Sequence, residues 1–317
     1  MTASATGELS AELDSPSADL RAREGDGAGR SQAPEAGNST VRRILLGSWL
    51  RRLREEQDIT MKEAGWHIRG SEAKISRMET GKVSFKERDI EDLLTFYAVH
   101  DDEERAQVMK LVQEANTLGW WNSFNEVIAP WFGPYVGLED AAALIRPYDL
   151  QFINGLLQTP DYSRAVIASN RTLGSGEVLR LVEMRQRRQR KFTDPTNSPK
   201  LWVVLDESAV RRPVGGPETM HKQIQFLLHA STQRNITIQL LPYSAGSHAA
   251  ESGAFTLLRF AEPDLTDVVY LEHLTGAQYI ERPDDTSRYL EAADHIAVDA
   301  LTPDDTRTAL QYLLKRS

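Results

Sequence analysis

The chain contains no cysteine anywhere in its 317 residues. Disulfides, thiolate nucleophiles and cysteine-ligated zinc are excluded together. Long apolar runs are missing too, since nothing approaches the roughly 20 residues that span a bilayer. The opening MTASATGELS has neither a basic flank nor an apolar core, so no targeting segment is read there. A cytoplasmic, nucleoid-associated protein without membrane contact is expected. The motifs of common catalytic sites are also absent: G-x-S-x-G, H-E-x-x-H, a phosphate-cradling glycine loop, or metal-ligand spacing among the seven histidines. Acid–base candidates exist, with Asp206 and Glu207 after one apolar strand, Glu272 and His273 after another, and His248 in a Gly/Ser loop. A lone loop histidine is more often a hydrogen-bonded structural residue. No enzyme, cofactor or metal is expected.

Positive charge is in deficit overall, with 37 Lys and Arg against 46 Asp and Glu and a net charge of -9. Taken alone, that opposes nucleic-acid binding, but local charge decides such contacts. Residues 1–40 are rich in Ala, Ser, Gly, Pro and acidic residues and poor in large apolar ones, and read as a disordered acidic tail. Residues 41–85 hold about ten Lys/Arg against about six Asp/Glu, a net of about +4. A basic island in an acidic chain fits a DNA reader.

That island has helical periodicity. Leu46, Trp49, Leu50 and Leu53 make one apolar stripe, which Gln57-Asp58 ends. Thr60 and Glu63 have capping-box spacing and start a second helix carrying Ala64, Gly65 and Ile68. Ser71 is an N-cap for a third helix, with Ile75 and Met78 inward and Gly81 at its exit. A fourth runs from about Lys86, with Ile90, Leu93, Leu94 and Tyr97 inward. Two short helices joined by a tight Gly-containing turn, with small residues at their crossing, form a helix-turn-helix. The third helix would then enter the major groove. Ser71, Glu72, Ala73, Lys74 and Ser76 are the candidates for base edges, and Thr60, Lys62, Arg69, Arg77, Lys82 and Lys86 for phosphates. The competing reading is a four-helix piece of an ordinary domain with a solvated charged face.

The run GSEAKISRMETG resembles the recognition helix of the Cro/repressor-type (XRE) helix-turn-helix family, with its Ile-Ser-x-x-Glu-x-Gly pattern. The likeness implies that Ile75 and Met78 are core, that Glu79 fixes the following loop, and that Glu72, Ala73 and Lys74 meet bases. The chain departs from the family in two places. Arg69-Gly70 stands where a Gly-apolar pair is usual, and Met61 where the second helix often begins with a phosphate-binding Gln.

Beyond the basic island, residues 101–145 read as a helical connector rich in aromatics (Trp120, Trp121, Phe124, Trp131, Phe132, Tyr135). Such a cluster is more often core than a stacking platform for bases or a ligand. Residues 146–317 read as an α+β domain starting near Arg146-Pro147. Strands are expected at Leu201–Leu205, Ile236–Leu241, Phe255–Phe260 and Val268–Leu271, and helices at Pro217–Ala230, Pro283–Leu301 and Pro303–Lys315. Consecutive strands favour α+β over a doubly wound sheet. A helix led by Val178, Leu181 and Val182 ends in Arg185, Arg187, Arg188, Arg190 and Lys191, which read as a solvated basic face, with added DNA or partner affinity as the alternative. The whole is a multi-domain chain: an all-α helix-turn-helix bundle over 41–100, the connector, then the α+β domain.

The pieces GLLQTPDYSRAVI, LDESAVRRPVGGPETMHKQI, LLPYSAGSHAAESGAFTLLRF and VVYLEHLTG, with VSFKERDIEDLLTFYAV and GWWNSF upstream, resemble actinobacterial XRE-type regulators with a WhiJ-like, antitoxin-like C-terminal domain. That resemblance implies a transcriptional regulator whose C-terminal domain senses a partner or effector, and a small partner protein encoded nearby. Helix-turn-helix readers usually act as dimers, so double-stranded DNA and a homodimer are the further expected partners. The alternative is an antitoxin-like interaction protein that mainly holds a small partner, with DNA binding secondary.

Overall fold

The computed structural model describes residues 35–192, 198–261 and 265–315. Most of the expected acidic tail lies outside these residues. Helix α1 (Glu35–Glu56) begins inside the 1–40 stretch and so takes its last residues. It is followed by α2 (Met61–His67), α3 (Glu72–Glu79), α4 (Glu87–Phe96) and α5 (Asp102–Ala115). The apolar stripes meet as the periodicity requires: Leu46, Leu50, Ala64, Ile68, Ile75, Met78, Ile90, Leu93, Leu94 and Tyr97 share one core with Val108, Val112 and Ala115 of α5. Asn116, just past α5, closes the bundle, exchanging hydrogen bonds with both the N–H and the carbonyl of Phe85.

After a 3-10 turn at Trp120–Phe124 come α6 (Phe132–Ala141), β1 (Leu144–Asp149), α7 (Pro160–Ala168), α8 (Ser175–Gln189), β2 (Lys200–Asp206) and α9 (Glu207–Arg211). The chain ends with α10 (Pro217–Ala230), β3 (Ile236–Leu241), β4 (Phe255–Arg259), β5 (Val268–His273), β6 (Gly276–Ile280), α11 (Pro283–Asp299) and α12 (Pro303–Leu314). Four of these helices carry Pro at their first turn, where the missing N–H is harmless. The six strands form one mixed sheet in the order β3-β2-β1-β4-β5-β6. β1, β2 and β3 are parallel, whereas β4, β5 and β6 form an antiparallel meander joined to β1. This is an all-α bundle followed by an α+β domain.

Alternation along each strand splits the sheet into two covered faces. Ile145, Leu201, Val203, Leu205, Ile238, Leu240, Leu258 and Tyr270 point to one core, which they share with α6, α8, α10 and α12. Tyr148, Val204, Leu241, Phe255, Leu257 and Val269 point to the other, closed by Ala293 and Ile296 of α11.

Two strands, β1 and β6, fall where no strand was expected. β1 is central yet contains Pro147, which cannot donate to a ladder. The β1–β2 register pairs Leu144 and Ile145, then resumes at Tyr148 and Asp149, stepping over the proline. Arg146 beside it is buried, paired with Asp294 at 2.7 Å and lying 4.4 Å over the Trp202 ring. Arg146-Pro147 is therefore the middle of a strand rather than a domain boundary. Leu150–Leu157, an apolar run, is a loop with a 3-10 turn at Gly155–Leu157.

The 101–145 stretch divides between two cores. α5 packs into the bundle, while Trp121, Phe124 and Tyr135 are buried in the core of the mixed sheet. α1 packs along both α5 and α6, and Ile44 and Leu45 lean on the sheet's core.

Candidate nucleic-acid interface

The second helix starts as its spacing requires. Thr60 Oγ1 accepts from the Glu63 N–H at 3.2 Å, and the Glu63 carboxylate accepts from the Thr60 N–H at 2.8 Å and from its hydroxyl at 2.7 Å. The same hydrogen bonds hold the Glu63 carboxylate below the usual range. Between α2 and α3 the turn is carried by Arg69, whose φ of +53° is left-handed. Gly70 donates its N–H to the Gly65 carbonyl at 2.7 Å. The residue bearing the positive φ is thus the arginine, and Gly70 is not in that region.

Gly65 is needed for another reason. A Cβ there would lie 2.7 Å from the Ser71 carbonyl carbon and 2.9 Å from its oxygen. α2 crosses the start of α3 at a separation that no side chain fits. Gly47 of α1 does the same on the far side, where a Cβ would come 2.5 Å from the Met78 oxygen. The third helix is held between two close backbone approaches.

Ser71 caps α3, its Oγ accepting from the Lys74 N–H at 3.3 Å. Ile75 and Met78 are buried, and Ser71, Glu72, Ala73 and Arg77 are exposed along the outer face. Ser76 is half-buried. Lys74 is half-buried too, and its Nζ lies 2.5 Å from Asp89 Oδ2 on α4. Of the phosphate candidates, Lys62, Arg69, Arg77 and Lys86 are exposed and make no ion pair among the described residues. Lys82 is exposed and draws on the Glu281 carboxylate at longer range. Thr60 is exposed with its hydroxyl engaged by Glu63.

Glu79 behaves differently from the expectation. It accepts from Arg54 through both oxygens, at 2.6 Å from Nε and 3.0 Å from Nη2, with both side chains almost fully buried. The third guanidinium nitrogen donates to the Ile59 carbonyl at 2.7 Å. Glu79 therefore fixes the loop before α2 through helix α1, and not the loop after α3. Its bonds hold the Arg54 pKa above the ordinary value. Sequence reasoning also passed over Trp66, which is 83% exposed on α2. Once Ala64, Gly65 and Ile68 are placed inward, its outward position follows from helical geometry.

The five acid–base candidates are held in structural roles or lie apart. Asp206 caps α9 through the Ser208 N–H, and Glu207 engages Arg211 and the Tyr243 N–H. His248 Nδ1 accepts from the Ala250 N–H at 3.2 Å, leaving Nε2–H to face the Tyr148 hydroxyl at 3.2 Å. Glu272 and His273 are exposed at the end of β5. No group of three or more His, Asp or Glu suited to a metal ion occurs among the described residues. Among the same residues no helix is long and apolar enough to cross a membrane.

The basic run at the end of α8 is solvated only in part: Arg187 and Arg190 are exposed, Arg185 and Lys191 half-buried. Arg188 is buried and bidentate to Glu139 of α6, at 2.8 and 2.6 Å, and Glu139 also accepts from the Tyr135 hydroxyl at 2.9 Å. Lys191 donates to the Glu139 carbonyl, and Arg187 lies 4.6 Å over the Trp120 ring. Arg188 and Lys191 bind this end of α8 to α6.

Two family models match this architecture. A helix-turn-helix domain matches residues 45–108, covering α2, α3, α4 and the core they share with α1 and α5. A domain of unknown function, DUF5753, matches residues 132–312, more than half of the chain. The chain belongs to the DUF5753 family. The boundary of that DUF5753 match falls at Phe132, the first residue of α6, so the family's domain includes the helix on which α1 rests. No curated protein matches the chain, and no solved structure does.

Proposed function

We propose that this DUF5753 protein is a sequence-specific DNA-binding transcription regulator that places α3 in the major groove. The observation that carries the reading is the outer face of the helix pair. Ser71, Glu72 and Ala73 stand exposed at the amino end of α3, flanked by the exposed cations Lys62, Arg69, Arg77 and Lys86, which have no carboxylate partner among the described residues. Base edges are read from that first turn, with Ser76 beside it, and the cations meet phosphates. Lys74 joins the base contacts only by leaving Asp89. Thr60 and Lys82 lie at the margin of the phosphate set.

The protein acts in the cytoplasm as a homodimer on half-sites roughly 34 Å apart, as helix-turn-helix readers commonly do. Its C-terminal domain senses an effector or a small partner protein, and it has no catalytic role. The resemblance to antitoxin-like regulators supports the partner.

Selection of binding sites from random duplexes, followed by variants, tests this. Glu72→Ala relaxes preference at one base pair, at a cost of about 1–3 kcal/mol on the preferred base. Arg77→Ala weakens all sequences alike and reduces the salt slope by about one phosphate. Selection of no sequence, or binding indifferent to both changes, would refute the reading and leave the partner-holding alternative.

A further inference from the structure

The α+β domain holds a cavity of about 650 Å3 over the carboxyl end of β1. Its volume lies within the roughly 300–1,000 Å3 of small-molecule sites. Phe132, Tyr148, Phe152 and Phe255 supply apolar and aromatic wall, and Arg185 and Tyr270 supply the polar groups that matter most.

Arg185 and Arg188 stand one turn apart on α8, and the fold treats them unequally. Arg188 receives a bidentate carboxylate from Glu139. Arg185 receives only a neutral amide, donating from Nη1 to Gln158 Oε1 at 2.6 Å. Gln158 is itself fixed, 4% exposed, with its Nε2 donating to the Ile153 carbonyl at 2.6 Å. No carboxylate reaches Arg185 within ion-pair distance among the described residues. Glu272, exposed at the end of β5, acts on it only at longer range. Desolvation of this half-buried guanidinium draws its pKa down to about 10.

A second polar group there is weakly partnered. The Tyr270 hydroxyl, on a residue 4% exposed, has no well-formed hydrogen bond, and burial, then the neighbouring Glu272 carboxylate, raises its pKa. A half-buried cation without a close counter-charge and a buried hydroxyl without a well-formed hydrogen bond both leave binding capacity open in the cavity. An anion with a hydrogen-bonding oxygen fills both.

We propose that this cavity binds a small organic acid, its carboxylate paired with Arg185 and hydrogen-bonded by the Tyr270 hydroxyl, its apolar body against the aromatic wall. Two carboxyl groups also line the cavity: Glu272 stands exposed at the end of β5, where solvent screens it, and Asp149 does not oppose an acid strongly. Burial pushes its carboxyl up to about 7, so much of it is protonated at neutral pH. The proposal gives the effector of the regulatory reading a place and a chemistry. Its test involves no DNA, so either can fail without the other.

The full-length protein is titrated calorimetrically with phenylacetate and indole-3-acetate, and with phenylacetamide, phenethylamine and inorganic phosphate as contrasts. The acids bind and raise Tm, and the neutral amide binds at least about tenfold more weakly, the value of one charge-assisted hydrogen bond. Arg185→Met abolishes acid binding, with a Tm loss in the free protein limited to that of the hydrogen bond to Gln158; a purely structural arginine would lower Tm and leave acid affinity unchanged. Tyr270→Phe keeps the ring stack with Tyr135 and weakens the acids several-fold, so it decides the matter should Arg185→Met not fold. Amide binding equal to the acid, preference for the amine, phosphate binding as tight as the acids, no acid binding, or unchanged affinity in both variants would each overturn the proposal.

Discussion

The Arg54–Glu79 pair offers the sharpest test of how the DNA-reading helix is held. Both side chains are under 10% exposed, at 7% and 4%, and the guanidinium makes four hydrogen bonds: two to Glu79, one to the Ile59 carbonyl and a longer one, at 3.4 Å, to the exposed Glu55. Removing one partner of such a pair strands a desolvated charge, which costs about 3–5 kcal/mol. Glu79→Ala should therefore lose several kcal/mol in chemical denaturation of the full-length chain, out of a total that is typically about 5–15 kcal/mol. The loss should be local first. Amide exchange should accelerate in α2, α3 and the 57–60 loop while the β2 and β3 amides stay protected. The double variant Arg54→Met with Glu79→Leu replaces the pair by apolar side chains, and should be near neutral or more stable than Glu79→Ala by most of the single loss. A single loss under about 1 kcal/mol would mean the pair behaves like an exposed one. Additive losses in the double variant would mean the two side chains are not coupled. Either outcome refutes the assignment of Glu79 as the tie between α3 and α1.

Three further outcomes are expected. Gly65→Ala forces a Cβ to 2.7 Å from the Ser71 backbone, so it should cost about 1–3 kcal/mol by denaturation and weaken DNA binding through a changed α2–α3 crossing. Arg69→Gly should move the two readouts in opposite directions: relief of the +53° φ stabilises by up to about 1 kcal/mol, while loss of a phosphate contact flattens the salt dependence of DNA binding. Asp149 has a folded pKa of about 7, above the unfolded carboxylate range, so the folded state holds its proton longer. Its contribution is fully present at low pH and is lost as pH rises from about 4 to about 7. Asp149→Asn should flatten that part of the Tm-against-pH curve, and an unchanged slope would show that Asp149 is not its source.

The bundle was legible because its signals are local. Capping pairs, apolar stripes and a small-residue crossing all act within a few residues, and Thr60–Glu63, Ile75/Met78 and Gly65 each do in space what their spacing implies. Partners from distant sequence were not legible. Lys74 looks like a free base reader until α4 brings Asp89 to it, and Arg188 looks solvated until α6 delivers Glu139. β1 was hidden by Pro147, because the rule that bars proline from central strands takes no account of a ladder that skips two residues. β6, which no expected strand covered, is a five-residue edge strand, GAQYI, with only weak alternation.

Helix α1 determines what the α+β domain can do to DNA recognition. It packs on α6, whose Glu139 accepts from Tyr135 and pairs with Arg188, one turn from Arg185 on α8. The later half of α1 carries Gly47, pressed against the Met78 and Glu79 backbone, and Arg54, tied to Glu79. Gly81, at the exit of α3, would place a Cβ 2.9 Å from Ile44 Cα. With contacts this close on both sides, α3 cannot move closer to α1 without steric conflict, which makes α1 the contact through which a displacement of α6 would reach the groove-facing helix. If an acid in the cavity moves α6, its binding and DNA binding share one coupling free energy, typically about 1–3 kcal/mol, and the factor must be equal in both directions. Operator affinity measured with and without phenylacetate, and phenylacetate affinity with and without operator, should therefore change by the same several-fold factor. Gly47→Ala, which forces α3 off α1, should bring that factor toward one while leaving the cavity intact. A factor of one in the unaltered protein would make α6 a fixed support for α1 and exclude it as a route from cavity to groove.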